Sequence, residues 1–314
     1  MKQENKRTLF LIVKDFMKKN MNGPYSFIRY WILQFAHTYR RQYKLRLSLM
    51  RNPLFKFNYR NVSFLISLDP KNGYIDEKIC DVGVFESEML DAFMVYVKEG
   101  MTFVDIGANI GQHSLFVSRL VGENGNVISF EPIPRLYQQF KRSVEANNMK
   151  NVNIINAGCG NKEETLDIYM DKSNMGASSV IKPDTRSKLT KTSIHIIKPE
   201  EILLSYKKID VMKIDVEGFE YNVLTGLEKV IERDKPIIFL EYSPSFYVKS
   251  KNHDTEHDGI SLLSLLQKYK YSLKDLDGRF PSESENLTAW GKNFDEKTKD
   301  ISHRQVNLIF STTN

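Results

Sequence analysis

Five carboxylates carry most of the chemistry open to this sequence. Asp105 falls inside FVDIGANIGQHSL, residues 103 to 115, Glu131 closes VISFE, Asp215 closes IDVMKID with Glu217 two residues on, and Glu241 closes PIIFLE. Each follows a short apolar run of the kind that forms a strand covered on both faces. After Asp105 comes a glycine loop, Gly107-Ala108-Asn109-Ile110-Gly111. Side chains at its glycines would block close approach of backbone. An acid at a strand end followed by such a loop builds a pocket for a small ligand, at the place where open α/β sheets bind them. The loop also selects the ligand's charge. A pyrophosphate-bearing dinucleotide calls for G-x-G-x-x-G, and here the middle glycine is absent. The Asp105 carboxylate would repel a pyrophosphate and attract an ammonium group. Glu131, ending the next strand, can accept from both hydroxyls of a ribose. A cationic cofactor without phosphate, such as S-adenosylmethionine, meets both acids.

Asp215, Glu217 and Glu241 lie at further strand ends beside that pocket and are the candidates for removing a proton from an acceptor. Two have structural readings of equal standing. Glu217-Gly218 opens a helix, where a first-turn acid is favoured, and Glu241 could pair with Lys213 or a backbone donor. His113 follows the glycine loop and either faces the pocket or packs against the sheet. His253 and His257 have helical spacing, but Asp258-Gly259 reads as a helix start, so the segment is expected to be a solvated loop. No metal site is expected, with a divalent ion at Asp215 and Glu241 as the lesser alternative.

The elements that position these residues follow from periodicity. Strands are predicted at 103–106, 127–130, 151–156, 165–170, 194–197, 209–214 and 236–240, with helices at 112–121, 134–147, 219–233 and 260–269 between them. Alternation of this kind gives a mostly parallel sheet with helices on both faces. Two last strands, 270–276 and 306–310, are joined by a long polar stretch without a strong helix signal, which suits an antiparallel hairpin at the sheet edge. Residues 171 to 193 read as polar and irregular, a mobile flap. Residues 53 to 85 read as β-rich and lead into a helix at 88–97. The chain thus divides into a basic helical extension (1–52), a β-rich lead-in with a helix packing on the core (53–100) and the main α/β domain (101–314).

The chain has 314 residues and a net charge of +6. Residues 1 to 60 hold 14 Lys or Arg against Glu4 and Asp15, a net of +12, which leaves −6 for the rest. A basic arm on an acidic body suggests an anionic partner. Residues 5–19 and 25–50 read as amphipathic helices with lysine and arginine around aromatic faces. They serve either as a cap with solvated charges or as an attachment to an anionic membrane surface. No nucleic-acid recognition motif is present. No apolar run approaches the ~20 residues needed to span a bilayer. Cys80 and Cys159 have no metal-binding spacing, so the expected setting is cytoplasmic, with the inner membrane surface as the alternative.

Taken as an ordered set, IDEKICDVGVFESEM, FVDIGANIGQHSL, VISFEPIP, IDVMKIDVEGFEYNVLTGL and PIIFLEY resemble the FkbM family of S-adenosylmethionine-dependent methyltransferases, over about residues 75 to 245. The resemblance implies the class I methyltransferase fold, a Rossmann-like seven-stranded sheet whose last strand is antiparallel. It implies that Asp105, Gly107, Asn109 and Gly111 hold the methionine and adenosine parts and Glu131 the ribose, with the adenine near Gly158 and Cys159. It also implies O-methyl transfer to a sugar, glycan or other natural product, with Asp215, Glu217 and Glu241 on the acceptor side. The rival readings are an inactive cofactor-binding module acting through partners and a nucleotide-linked oxidoreductase. The retained strand-end acids argue against the first and the missing glycine against the second.

Overall fold

The computed structural model describes residues 48–49, 51–69, 74–171, 174–179, 189–242, 259–276, 283–284, 286–298 and 306–312. The chain divides into two compact units, Met1–Pro53 and Leu54–Asn314. The basic helices expected at 5–19 and 25–50 lie outside the described residues apart from 48 and 49, as does the histidine segment 253–258.

The second unit begins with a hairpin, β1 (Leu54–Tyr59) and β2 (Val62–Ser67), followed by helices α1 (Tyr74–Val82) and α2 (Ser87–Tyr96). Then come β3 (Thr102–Ile106), α3 (Gln112–Val121), β4 (Asn126–Phe130), α4 (Pro134–Ala146) and β5 (Val152–Ile155). A side sheet follows, β6 (Gly158–Cys159), β7 (Glu164–Asp171), β8 (Asn174–Ser179) and β9 (Leu189–Ile197). The chain returns through α5 (Glu200–Leu204), β10 (Val211–Ile214), α6 (Glu220–Thr225), α7 (Glu228–Asp234) and β11 (Ile237–Tyr242). It ends with α8 (Gly259–Lys268), β12 (Tyr271–Asp275), β13 (Glu283–Ser284), α9 (Leu287–Thr298) and β14 (Val306–Thr312).

The main sheet has the order β13-β12-β14-β11-β10-β3-β4-β5. β5, β4, β3, β10 and β11 are parallel, and β14 runs antiparallel between β11 and β12. This is the expected sheet, with a two-residue edge strand added as an eighth member. Every residue of β3 and β10 is buried, as a strand covered on both faces requires. Phe93 of α2 lies on this centre, its ring 5.4 Å from Phe103 and 4.9 Å from Phe239. The β1–β2 hairpin is held to α4 by polar side chains. Ser67 N–H donates to Ser143 Oγ at 2.8 Å, and Asn147 exchanges two hydrogen bonds with the Leu65 backbone. These side chains satisfy strand groups that would otherwise be left unpaired.

The structure corrects four expectations. Residues 171–193 were expected to be an irregular flap, but β8 and most of β9 lie there, pairing with β7. Backbone pairing organises this polar stretch where hydrophobic periodicity gives no signal. The stretch expected to lack a strong helix contains α9, capped by Asn286 Oδ1, which accepts from Ala289 N–H. Trp290 and Phe294 of α9 stack on each other and meet Tyr242 edge-on. The helix expected at 219–233 is two helices parted at Gly226, where a Cβ would stand 2.1 Å from the Gly160 carbonyl oxygen. Helix α1 occupies the end of a segment read as β-rich. It hides Ile79 and Cys80 and buries Asp76, which accepts from Asp69 N–H and Gln139 Nε2.

Candidate active site

The first half of the site is the β3–α3 turn against the end of β4. Gly107 and Ala108 both donate from their backbone N–H to the Phe130 carbonyl, which fixes the loop on β4. Gly107 has φ +83°, and a Cβ there would lie 1.9 Å from the backbone oxygen of Asp215. Glycine is therefore required by both conformation and contact. Asn109, at φ +53°, donates its N–H to Glu131 Oε2 at 2.8 Å, while its Oδ1 accepts from Ile110 N–H. Gly111 (φ +84°) precedes α3 and lies against the Phe140 ring. Glu131 Oε1 accepts from Ile133 N–H at 2.8 Å. Burial pushes its carboxyl up to about 7, against the backbone donors that pull it down. Gly158 and Cys159 form β6 beside β9, and both are buried. They sit just past Asn156, whose Nδ2 donates to the Glu131 carbonyl.

Asp105 is wholly buried. Its Oδ2 accepts from Ser114 Oγ at 2.5 Å, and Ser114 in turn meets Ser129 at 2.8 Å. Its Oδ1 has no hydrogen-bond partner among the described residues and lies 3.7 Å from Lys213 Nζ. Burial raises the Asp105 carboxyl against the pull of Lys213 and Ser114.

The second half lies at the ends of β10 and β11. Asp215 N–H donates to the Ile106 carbonyl, which seats this turn beside the glycine loop. Asp215, Glu217 and Glu241 offer carboxylate oxygens that all lie within 4.8 Å of one another. The three acids picked from sequence as acceptor-side candidates are thus brought together. Burial opposes charge on Asp215, yet Lys213 Nζ at 3.0 Å and a hydrogen bond from Glu241 hold its carboxyl below the usual range. Glu217 stands at φ +52°, with its carboxyl pushed up to about 8 by burial and then by Asp215. Glu241 is raised well above the ordinary value for the same two reasons. The helix-start role weighed for Glu217 is filled by Glu220, whose Oε1 accepts from Val216 and Gly218 N–H.

Lys213 and Glu86 were not among the sequence candidates. Lys213 is 3% exposed and pairs with Asp215 and Asp105. Burial alone would lower its ammonium, but the two aspartates raise it above the ordinary value. The signal was a lone charge inside the apolar run Val211-Met212-Lys213-Ile214, four residues that are all buried. Glu86, at φ +49°, stands before α2 with Oε2 3.5 Å from His113 Nε2. His113 packs edge-on against Phe93 at 5.6 Å. Burial, and then the charge of Lys213, lower its imidazole to about 3, so it is neutral.

The first half fits a nucleoside cofactor with an ammonium group. Each Glu131 oxygen accepts a single N–H, so lone pairs remain for two vicinal hydroxyls, and its raised pKa marks a buried carboxylate short of donors. Asp105 Oδ1 likewise has acceptor capacity to spare. A parallel sheet with one inserted antiparallel strand, a glycine loop after its central strand and an acid ending the next is the class I methyltransferase fold.

Comparison with known proteins agrees. Residues 105–273 match the family model for the methyltransferase FkbM domain, more than half of the chain. The chain belongs to the FkbM methyltransferase family, and its cofactor is S-adenosylmethionine. Among curated proteins it is 26% identical over 144 residues to Methyltransferase 1 of Beauveria bassiana, covering 40% of this chain and 57% of that protein. It is 28% identical over 149 residues to the hexuronic acid methyltransferase AglP of Haloferax volcanii, covering 47% and 58%. The chain thus spans just under 60% of the length of these two relatives. The solved structure of methyltransferase FkbM from Methylobacillus flagellatus aligns over 74% of this chain and 52% of its own, with a TM-score of 0.40 at 14% identity.

Proposed function

We propose that this protein transfers a methyl group to a hydroxyl oxygen of a sugar, glycan or other polyhydroxylated small molecule. The observation that carries the reading is the convergence of Asp215, Glu217 and Glu241 within 4.8 Å at the strand ends beside the glycine loop. S-adenosylmethionine supplies an electrophilic methyl on a sulfonium sulfur, so the O–C bond forms as the C–S bond breaks and the acceptor loses its proton. The chain's own residues do the rest. Glu131 accepts from the ribose hydroxyls, and Asp105 with its neighbouring loop fixes the amino acid end. Lys213 keeps Asp215 ionised and turned to the cluster. The carboxylates accept hydrogen bonds from the acceptor's hydroxyls, orient one of them for in-line attack and take its proton. Alignment of this kind is worth ~7–11 kcal/mol of barrier, and a positioned base about 10²–10⁴-fold in rate. A sugar acceptor is supported by the multiple acceptor oxygens of the cluster and by the relative AglP, a hexuronic acid methyltransferase.

The test is calorimetry with S-adenosylmethionine on the full chain, followed by a screen of extracts for tritium transfer from labelled cofactor. Binding abolished by Glu131→Ala and a labelled, base-stable ether product support the reading. No cofactor binding at high micromolar concentration, or a product labelled on carbon or nitrogen, sinks it.

A further inference from the structure

We propose that Glu220 is a positioning residue for methyl transfer, holding the turn that aims Glu217 at the acceptor side of the site. The inference rests on the methyl-transfer reading for its use and on the geometry of one turn for its existence.

The turn from Asp215 to Phe219 leaves β10 and enters α6, and both of its ends are fixed by packing. Asp215 N–H donates to the Ile106 carbonyl at 3.1 Å, and the Asp215 carbonyl lies so close to Gly107 that no Cβ would fit between them. Phe219 is buried, with its ring against Gly160. Between these anchors stand Glu217 at φ +52° and Gly218 at φ +98°. Glycine takes such a φ freely, but a glutamate is disfavoured there. Strained backbone of this kind persists only where its surroundings over-determine it. Here one atom does so. Glu220 Oε1 accepts from Val216 N–H at 3.3 Å and from Gly218 N–H at 3.1 Å. The two donors flank Glu217, so drawing both to one oxygen curls the backbone at that residue. Glu220 is 1% exposed, so water has little access to replace it as the acceptor. The curl directs the Glu217 carboxyl to where its oxygen lies within 4.8 Å of those of Asp215 and Glu241. Glu220 also opposes ionisation of Glu217 and Glu241 through its charge. What offsets that cost is the strength of the bonds an ionised acceptor makes to two N–H groups.

The test compares two substitutions in the full chain. Glu220→Gln keeps Oε1 as an acceptor, whereas Glu220→Met keeps most of the volume without it. Crystal structures should show Glu217 still at positive φ in Glu220→Gln. In Glu220→Met it should leave the left-handed region and draw its carboxyl away from Asp215 and Glu241. Glu217 unmoved in Glu220→Met overturns the role, whatever the activity. Transfer is read with tritiated S-adenosylmethionine and a fixed cell extract as the acceptor source. Glu220→Met should lower the maximal rate by about 10–100-fold, with cofactor affinity by calorimetry within about threefold of the wild type. Glu220→Gln should recover most of that loss. Because Glu220 acts through Glu217, the double variant Glu217→Gln/Glu220→Met should be no slower than Glu217→Gln alone. Full rate in Glu220→Met, a further loss in the double variant, or cofactor binding lost in step with the rate overturns the role. Circular dichroism reports folding. Should Glu220→Met not fold, Glu220→Asp, one methylene short of the two N–H groups, takes its place with the same expected results. If the wild type transfers no label while Glu217 moves as expected, the methyl-transfer reading fails and the hold of Glu220 on Glu217 stands.

Discussion

Replacing Lys213 by methionine tests whether one buried ammonium holds the two halves of the site together. Its Nζ lies 3.0 Å from Asp215 Oδ2 and 3.7 Å from Asp105 Oδ1, and its side chain is 4% exposed. Methionine fills nearly the same volume, so the change is mainly one of charge. Two carboxylates would then be buried without their cation, at a cost of about 3–5 kcal/mol. The pH dependence follows from the protonation states. Lys213 is raised in the fold, so in the wild type its contribution is complete below the unfolded lysine pKa and is lost only as pH rises through the folded value. In the variant the aspartates lose the partner that lowers them. Asp215 then loses the cation that holds it low, and Asp105, already raised by burial, rises further, so the variant gains relative stability as pH falls and they take up protons. Urea unfolding in chelator should therefore show a deficit of about 3–5 kcal/mol at pH 8 that shrinks by more than half near pH 4.5. Asp215→Asn in the Lys213→Met background should recover part of the loss at pH 8. A deficit under about 0.5 kcal/mol at pH 8, the scale of a surface change, or one independent of pH, would refute the reasoning.

Four further outcomes are expected. S-adenosylmethionine should bind more tightly as pH rises from 6 to 8, because burial raises the Glu131 carboxyl to about 7 against its two backbone donors, with Asp105 adding to the rise and Lys213 opposing it, and only the carboxylate accepts from both ribose hydroxyls; calorimetry should find that slope gone in Glu131→Gln. Gly107→Ala should cost about 3 kcal/mol or more, since its Cβ would lie 1.9 Å from the Asp215 carbonyl at φ +83°, and should abolish cofactor binding; a thermal melt equal to wild type would contradict this. Asp76→Asn should stabilise the fold by about 1–2 kcal/mol at pH 8 and not at pH 4. The reason is that burial raises the Asp76 carboxyl to about 6, so ionising it penalises the folded state above that pH, while Asn keeps Oδ1 as acceptor for Asp69 and Gln139. Finally, deleting residues 1–50 should reduce binding to anionic liposomes at low salt, given the net +12 of the first 60 residues; full-length protein that ignores such liposomes removes the membrane role.

The site was legible where chemistry and strand ends coincide. Asp105, Glu131, Asp215 and Glu241 could be found because an acid closing a run of buried apolar residues has few structural uses, and a parallel sheet brings such ends to one edge. Lys213 entered only as a possible partner for Glu241, because it lies within its strand and not at its end. Only the pairing of β10 with β3, which sets Lys213 opposite Asp105, shows that the two charges meet. Glu86 was invisible for a different reason. From a left-handed backbone turn it meets His113, a neighbour 27 residues away in sequence, and no local pattern encodes that meeting. The fold misses share this cause. β8 and most of β9 are polar strands ordered by pairing with β7, and α9 is specified by Trp290 and Phe294 meeting Tyr242 from β11. Periodicity reports which face an element buries, so it fails where partners, and not burial, decide the conformation. The same limit applies to chemistry. Glu217 and Glu241 each carried a structural reading, helix start or ion pair, beside the acceptor-side one, and only the three-dimensional distances show that their carboxylates lie together with that of Asp215.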